Sequence, residues 1–543
     1  MPAIPYKRSN IADDYDAIVI GSGMGGLTSA ALLAKHAGAR VLVLERHYTV
    51  GGFTHVFHRP GWEWDVGVHY VGGVLDPRGQ ESIAYDHVTE GRLRWHPLPD
   101  VYDRARIGAL SFDFTAGIDR FREDLHRAFP AERRAIDRYL AMVLAVGRAS
   151  GSFWAEKAAP RAVARLIGPL LREPFLRYAR RTTGDVLGEL TRNRELRAVL
   201  TSQWGDYGLP PAQSSFAMHA GIAHHYLEGA AYPIGGAAAI AEAIAPAIER
   251  TGGAIVVAAE VEEILVERGR ATGVRIAGGR EVRARTIVSD AGIHNTFTRL
   301  LSPEIAAEFR LRDALRGLEL SQAHLCLYVG MDGPPSGAGA AASNLWIHPT
   351  ADFDANVARS NADPNAPFPM LFISFPSAKD PTFATRHPDR ATAEIVIPAP
   401  FAWFERWSQT AWHKRGADYA AFKERLTERI LAEFAVHAPE ASRRVTYAEL
   451  STPLSTAHFA AAPRGGIYGV AGTPARFRSQ AMGPFTPIRN LYLTGADACS
   501  EGVTGALFSG ILTASASLGR NLLSEIQRSA SSASHCGTVC LNA

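Results

Sequence analysis

Cysteine is scarce: four in 543 residues, at positions 326, 499, 536 and 540. So few, so scattered, exclude a disulfide framework and a zinc site and fit a reduced, cytoplasmic setting. Long apolar runs are missing as well. No stretch of 18 uncharged apolar residues occurs, so no spanning helix is expected. Residues 503–519 come nearest, but they are rich in Gly, Ser and Thr and suit a packed helix better. Residues 1–14 lack the apolar core of a signal peptide. Neither charge sign dominates: 57 Lys and Arg face 54 Asp and Glu, a net +3. A nucleic acid would want a concentrated basic face with stacking aromatics, and no such motif is found. Internal repeats are absent, and lysine is sparse beside arginine, as in GC-rich bacterial genomes.

Apolar side chains are plentiful, at 47%, and the length implies two or more domains. The densest signal is residues 18–52, IVIGSGMGGLTSAALLAKHAGARVLVLERHYTVGG. IVI is a short β-branched run, read as a buried parallel strand. Gly21-x-Gly23-x-x-Gly26 follows at once. Gly21 allows the tight turn, Gly23 a close approach of backbone to pyrophosphate, and Gly26 close helix–strand packing. The helix at 25–36 points free N–H groups and its positive dipole end at the phosphates. RVLVL (40–44) is the second strand. Glu45 ends it, placed to accept hydrogen bonds from both ribose hydroxyls and to repel a 2′-phosphate. The pair Gly51-Gly52 just beyond is a habit of flavoproteins that lay FAD across such a domain.

The chain is read as α/β: a doubly wound Rossmann FAD domain with an inserted α+β substrate domain and a helical cap. The FAD domain is expected from residues 15–75, 231–293 and 485–523. A helical cap spans 76–230, with helices at 112–148 and 161–199 broken at Pro130, Pro160, Pro169 and Pro174. Residues 254–292 read as a strand and a small antiparallel meander with turns at Gly269 and Gly278-Gly279. A second sheet and an amphipathic helix (418–437) fill 294–484. The serine-rich 524–543 is expected to be disordered. GAGAAA at 337–342 follows Pro334-Pro335 and reads as a loop. With no second GxGxxG after a strand, no dedicated NAD(P)H domain is visible.

Five segments carry a family resemblance: GGFTHVF (51–57), WDVGVHYVG (64–72), YPIGG (232–236), AAPRGGIYG (461–469) and NLYLTGADACSEGVTGALFSG (490–510). Together with the glycine unit they resemble the FAD-dependent carotenoid desaturase, carotenoid isomerase and retinol saturase group, nearest its retinol saturase-like branch. The likeness implies a tightly but non-covalently held FAD. Gly21, Ser22, Gly23 and Gly26 would hold its pyrophosphate, Glu45 its ribose, and Arg46 and Val261 its adenine side. Gly51, Gly52 and Phe53 would face the ribityl or ring region, and Gly495 and Asp497 the ribityl phosphate. Val503 and Thr504 would offer N–H groups to the ring. The activity implied is hydrogen transfer at a carbon–carbon bond of a lipophilic polyene, carotenoid or retinoid. Saturation is favoured over desaturation and cis–trans isomerisation because Gly67-Val68-His69 stands where desaturases tend to have Gly-Pro-Ser or Gly-Pro-Thr. More distant readings are a flavin amine oxidase, which would need an aromatic cage, and a flavin-free prenyl-binding protein like the GDP dissociation inhibitors, whose glycine turn is degraded.

Hydrogen addition across a C=C needs a hydride, a proton and a water-poor pocket. Histidine suits the proton because its pKa lies near working pH. His69 and Tyr70 in WDVGVHYVG, His55 beside the Gly-Gly pair, and Glu501 at the start of the ring helix are the candidates. His69 also fits a core histidine bonded to a carbonyl. His224-His225 and Asp65 read as packing and structural groups. The electron partner is left open among a nicotinamide, a quinone and oxygen. Residues 157–181, KAAPRAVARLIGPLLREPFLRYARR, carry seven basic residues and one acid among Leu, Ile and Phe. They read either as a peripheral contact with the inner face of a membrane or as a solvated lid over the pocket. The ending CLNA only superficially resembles a prenylation box. Sequence gives no oligomeric state.

Overall fold

The computed structural model describes residues 3–159, 161–337 and 342–539. Its first layer is an eight-stranded sheet. Strands Ile4–Pro5, Ala254–Val257, Val41–Leu44, Asp14–Ile20 and Glu281–Ser289 run parallel in that spatial order. The free edge of Glu281–Ser289 is shared. Residues 287–289 pair in parallel with Leu491–Leu493, and residues 281–283 pair with the meander Arg270–Ile276 and Val261–Glu267. Both faces of a parallel sheet must be covered, which is why VLVL at 41–44 is buried throughout. Val19, Val43, Ile255 and Val288 face the helices Met24–Ala37, Ala238–Glu249 and Gly502–Leu518. Ile18, Leu42, Val256 and Ile287 face the meander and the residues around Phe297 and Val470.

A second, seven-stranded sheet runs Val445–Ser451, His324–Asp332, Arg390–Pro398, Leu371–Ser374, Asn344–His348, Val101–Ile107, Leu110–Thr115. The helix Ala417–His437 covers one face with Phe422, Leu426, Ile430 and Phe434. The other face, with Phe372 and Trp346, joins the core of the helical layer.

Three local readings change. The hairpin 101–115 leaves the cap and adds two strands to the second sheet, so residues 112–115 are strand and not helix. Gly108, at φ +57°, makes the turn, and the alternation of buried Phe112 and Phe114 with exposed Ser111 and Asp113 has the period of a strand. Pro169 and Pro174 do not break Arg161–Ala179. Pro174 frees the carbonyl of Leu170, but Leu170 faces solvent, where water replaces the lost bond, while Phe175, Leu176 and Ala179 anchor the helix in the core. Pro130 does separate Ile118–Ala128 from Arg133–Ala158. The helix Leu522–Val539 occupies residues expected to be disordered. Its first turns are pinned by buried Leu522 and Ile526 in the same core as Tyr85. Pro160, residues 338–341 of the GAGAAA loop and the CLNA ending lie outside the described residues. Among the described residues no single helix is long and apolar enough to cross a membrane.

Candidate functional site

A single cavity of about 1490 Å³ runs from the glycine turn, between the two sheets, into the helical layer. At its first end, the start of helix Met24–Ala37 is crowded by two loops. A Cβ on Gly52, at φ +56°, would lie 2.9 Å from Cα of Gly23, and one on Gly26 would strike the carbonyl of Gly21. This packing leaves Gly21, Gly23, Met24 and Gly25 lining the cavity. Gly26 and Ser22 do not line it. Ser22 works from behind: its N–H and hydroxyl donate to Oε2 of Glu45 at 2.9 and 2.8 Å, while the N–H of His47 donates to Oε1 at 2.7 Å. Glu45 is thereby fixed at the cavity wall.

Arg46, Gly51, Gly52, Phe53, His55 and Val261 line the same end. Arg46 donates to the carbonyl of His458 at 2.7 Å. His55 braces the Gly-Gly turn through Nδ1 and the carbonyl of Gly52, and its ring packs on His47, 4.8 Å away. Burial lowers its pKa. It stands at the glycine-turn end of the cavity.

One acid here escaped the sequence reading. Asp290 follows the buried strand Glu281–Ser289, and its carboxyl fills the space beside Gly21, Gly23, Gly26 and Gly495. Burial pushes its pKa up to about 7, helped by Glu45 and Asp497 and opposed by the N–H groups of Gly26 and Gly23. The available signal was its place at the carboxyl end of a central parallel strand, where ligands of such sheets bind. Asp497 also lines the cavity, but its two oxygens accept from the N–H groups of Val470 and Ile293, both at 2.8 Å. It ties three segments together, leaving Gly495 beside the turn.

Further in, the N-terminus of helix Gly502–Leu518 opens onto the cavity through Gly502, Val503 and Thr504. Glu501 precedes it without capping it. Its side chain is fully buried, has no hydrogen-bond partner among the described residues, and lies 3.7 Å from Nη1 of equally buried Arg476. Burial outweighs that arginine and raises its pKa to about 8.

His69 and Tyr70 lie between the strands Trp62–Asp65 and Val71–Gly72 and line the middle of the cavity. Nδ1 of His69 is 2.9 Å from Oε2 of Glu394, which is wholly buried in strand Arg390–Pro398. Tyr70 stacks on Tyr226, with centroids 4.5 Å apart and planes at 12°. Its hydroxyl is shared by Asp103 and Asp206. Lys379 donates to the carbonyl of His69 (2.8 Å), to Ser374 (2.7 Å) and to Asn344. Burial lowers its pKa to about 7. Asp103, Asp206, Lys379 and Glu394 were not anticipated. Their one sequence signal is Glu394 inside AEIVIP, a charge in an otherwise buried strand. Asp65 is structural, as expected: it accepts from the N–H of Ala237 at 3.0 Å and from the hydroxyl of Tyr232. His225 likewise accepts from the N–H of Gly72 at 2.9 Å.

Beyond Tyr70 the lining turns apolar, with Val146, Trp154, Phe175, Ile222 and Phe477. The cavity thus joins a glycine turn and a buried acid to a long apolar arm.

A family model described as an NAD(P)-binding Rossmann-like domain matches residues 19–81. The all-trans-retinol 13,14-reductase of Danio rerio is 38% identical over 95% of this chain and 88% of its own length. Prolycopene isomerase 1 of an Oncidium hybrid cultivar is 27% identical over 93% and 84%. The cyclohexylamine oxidase of Brevibacterium oxydans superposes with a TM-score of 0.57 at 19% identity, over 95% of this chain and 99% of that one, a likeness of fold. The chain belongs to the all-trans-retinol 13,14-reductase family of oxidoreductases, the retinol saturase-like branch that its glycine unit, its WDVGVHYVG segment and its C-terminal strand and helix resemble.

Proposed function

We propose that the protein is an FAD-dependent oxidoreductase that saturates one carbon–carbon double bond of a retinoid-class polyene. The observation that carries this is the continuity of the cavity: one end suits a dinucleotide, the other a rod-shaped apolar molecule, and the two meet at His69, Tyr70 and Glu501. The 38% identity to a retinol 13,14-reductase supports the substrate class.

The residues fit FAD. Gly21, Gly23 and Gly25 present a crowded, side-chain-free turn to a pyrophosphate, and Glu45 is held where a ribose would meet it. Gly495 closes on the same turn. Val503 and Thr504 put a helix N-terminus where an electron-rich ring end is favoured. The bound flavin would supply the hydride. The chain's part is to seat the polyene along the apolar arm, exclude water and deliver a proton from His69 or Glu501.

The helix Arg161–Ala179 would dock on a membrane and admit substrate beneath it. Leu166 and Leu170 are 81% and 79% exposed, while Phe175 of the same helix lines the cavity. A setting at the inner face of a bacterial membrane agrees with this. Oxidised flavin would be re-reduced by a nicotinamide or a quinone-linked donor that visits the site.

Turnover assays with a retinol, a lycopene-type polyene and an amine test the reading. A product of the retinol carrying two extra hydrogens supports it. An isomer of unchanged mass would move the protein to the isomerase reading that the Oncidium relative favours, and amine oxidation alone would overturn it.

A further inference from the structure

His69 and Glu394 form a pair that the fold holds together without completing a bond. Nδ1 lies 2.9 Å from Oε2, and among the described residues neither atom completes a hydrogen bond, while the backbone N–H of Asp65 favours the Glu394 carboxylate. Glu394 is fully buried; the His69 ring edges into the cavity and packs against Phe372 at 5.0 Å. A buried carboxyl and imidazole that hold nothing between them keep the cost of leaving water. One shared proton removes that cost. We propose that Glu394 is the positioning residue for His69, the pair acting as the proton relay of the saturation proposed above.

The relay is neutral at rest. Burial drives His69 down to about 3 and Glu394 upward, so the proton sits on the carboxyl and the ring is uncharged. Lys379 opposes charging of the ring and favours the carboxylate; the Asp65 carboxyl favours charging of the ring and is itself raised by Glu394, the Asp65 backbone N–H favours the Glu394 carboxylate, and His324 also faces the ring. The ring must then carry its hydrogen on Nε2, with Nδ1 open to the Glu394 O–H. A bound flavin would supply a hydride to one polyene carbon, and the neighbouring carbon would take the Nε2 proton of His69. The π bond breaks and two C–H bonds form. The Glu394 proton moves to Nδ1, leaving an uncharged ring and a carboxylate that Lys379 stabilises. A proton from the cavity then enters at Nε2, and the Nδ1 proton returns to Glu394.

Two measurements test this. Nitrogen-15 NMR of histidine-labelled protein without substrate should show His69 uncharged from pH 8 to pH 5 and hydrogenated on Nε2. Infrared spectroscopy should show a protonated carboxyl band that Glu394→Gln abolishes. In single turnovers, Glu394→Gln and His69→Asn should each slow saturation by roughly 10²-fold. The double variant should be no slower than the worse single one, and all three should retain flavin as wild type does. A ring hydrogenated on Nδ1, no carboxyl band, or a Glu394→Gln enzyme as fast as wild type would overturn the relay. If the wild type itself saturates no polyene, the proposed function fails instead, and the tautomer and the band still decide whether the pair shares a proton.

Discussion

The hydroxyl of Tyr70 lies 2.9 Å from Oδ2 of Asp206 and equally 2.9 Å from Oδ2 of Asp103. A phenol has one proton, so it serves only one of them as donor. Asp103 also accepts from Asn344 (2.8 Å), Gln203 (2.6 Å) and Trp346 (2.9 Å), which marks it as the ionised partner. Burial and Asp103 raise the pKa of Asp206 well above the usual range, whereas the burial that raises Asp103 is opposed by its hydrogen bonds from Asn344, Gln203, Trp346 and Tyr70, so Asp206 is the carboxyl that favours a proton. Asp206→Asn should cost about 1 kcal/mol or less, because an amide N–H can replace the acid proton. Asp103→Asn turns an amide against four donors and should cost about 3–5 kcal/mol. Urea denaturation of the two variants checks the order.

Acid should destabilise the protein sharply, with little change above neutrality. Burial depresses His47, His87, His225 and His324 to about 4 and His69, His219 and His348 to about 3. Below pH 6.5 the unfolded chain takes up protons that these side chains refuse, so stability falls as pH falls. Asp65 and Asp290, raised to about 7, and Glu501, raised to about 8, act in the reverse sense. The folded state keeps their protons after the unfolded chain has lost them, so their effect lowers stability with rising pH up to those values. In all, fourteen histidines are depressed against nine raised carboxyls, Asp103, Asp206 and Glu394 among them, so the histidines set the slope below pH 6.5. Above pH 7, depressed Lys379 and Lys157 offset what remains of the carboxyl effect. Tm should climb steeply from pH 5 to about 7 and then level. A Tm higher at pH 5 than at pH 7 would contradict this.

Cofactor affinity should fall with alkali through Asp290. Its carboxyl accepts from the N–H groups of Gly23 and Gly26, and so stands at the turn that a pyrophosphate would meet. Neutral, it tolerates the anion; ionised above about pH 7, it repels it. A one-unit displacement of its pKa by the bound anion corresponds to about a tenfold change in affinity. FAD binding to the apoprotein should weaken by about that factor from pH 6 to pH 8.5, and in Asp290→Asn it should stay level. Equal slopes would remove Asp290 from the account.

Membrane docking should depend more on apolar than on basic residues. Arg180 and Arg181 are paired with Glu173 and Glu189, and Lys157 donates inward to Ser479. Leu166 and Leu170 stand free of such ties. Flotation with anionic liposomes should be lost in a Leu166→Asp, Leu170→Asp variant. It should survive, weakened, when 1 M salt shortens the Debye length to about 3 Å. Undiminished flotation of the variant would leave this helix as a lid only.

What the sequence made legible is what one short segment encodes. The spacing from Gly21 to Glu45 carries its own geometry, because turn, helix and strand are consecutive and each residue's role follows from its offset. The start of helix Gly502–Leu518 was readable for the same reason. The network beneath the cavity was not. Asp103, Asp206, Lys379 and Glu394 come from four separate segments, and only the pairing of the hairpin 101–115 into the second sheet brings Asp103 to the others. Prolines at 169 and 174 misled because tertiary packing, invisible locally, outweighs two missing donors.

The central claim is that reduced flavin in this cavity passes hydrogen to a polyene. The direct measurement is an anaerobic single turnover: reduce the bound flavin, remove excess reductant, add all-trans-retinol, and follow flavin absorbance together with product mass. The account predicts reoxidation of the flavin, one saturated double bond per flavin, and slower reaction in Glu394→Gln. Flavin that stays reduced while retinol is unchanged, or merely isomerised, would contradict it.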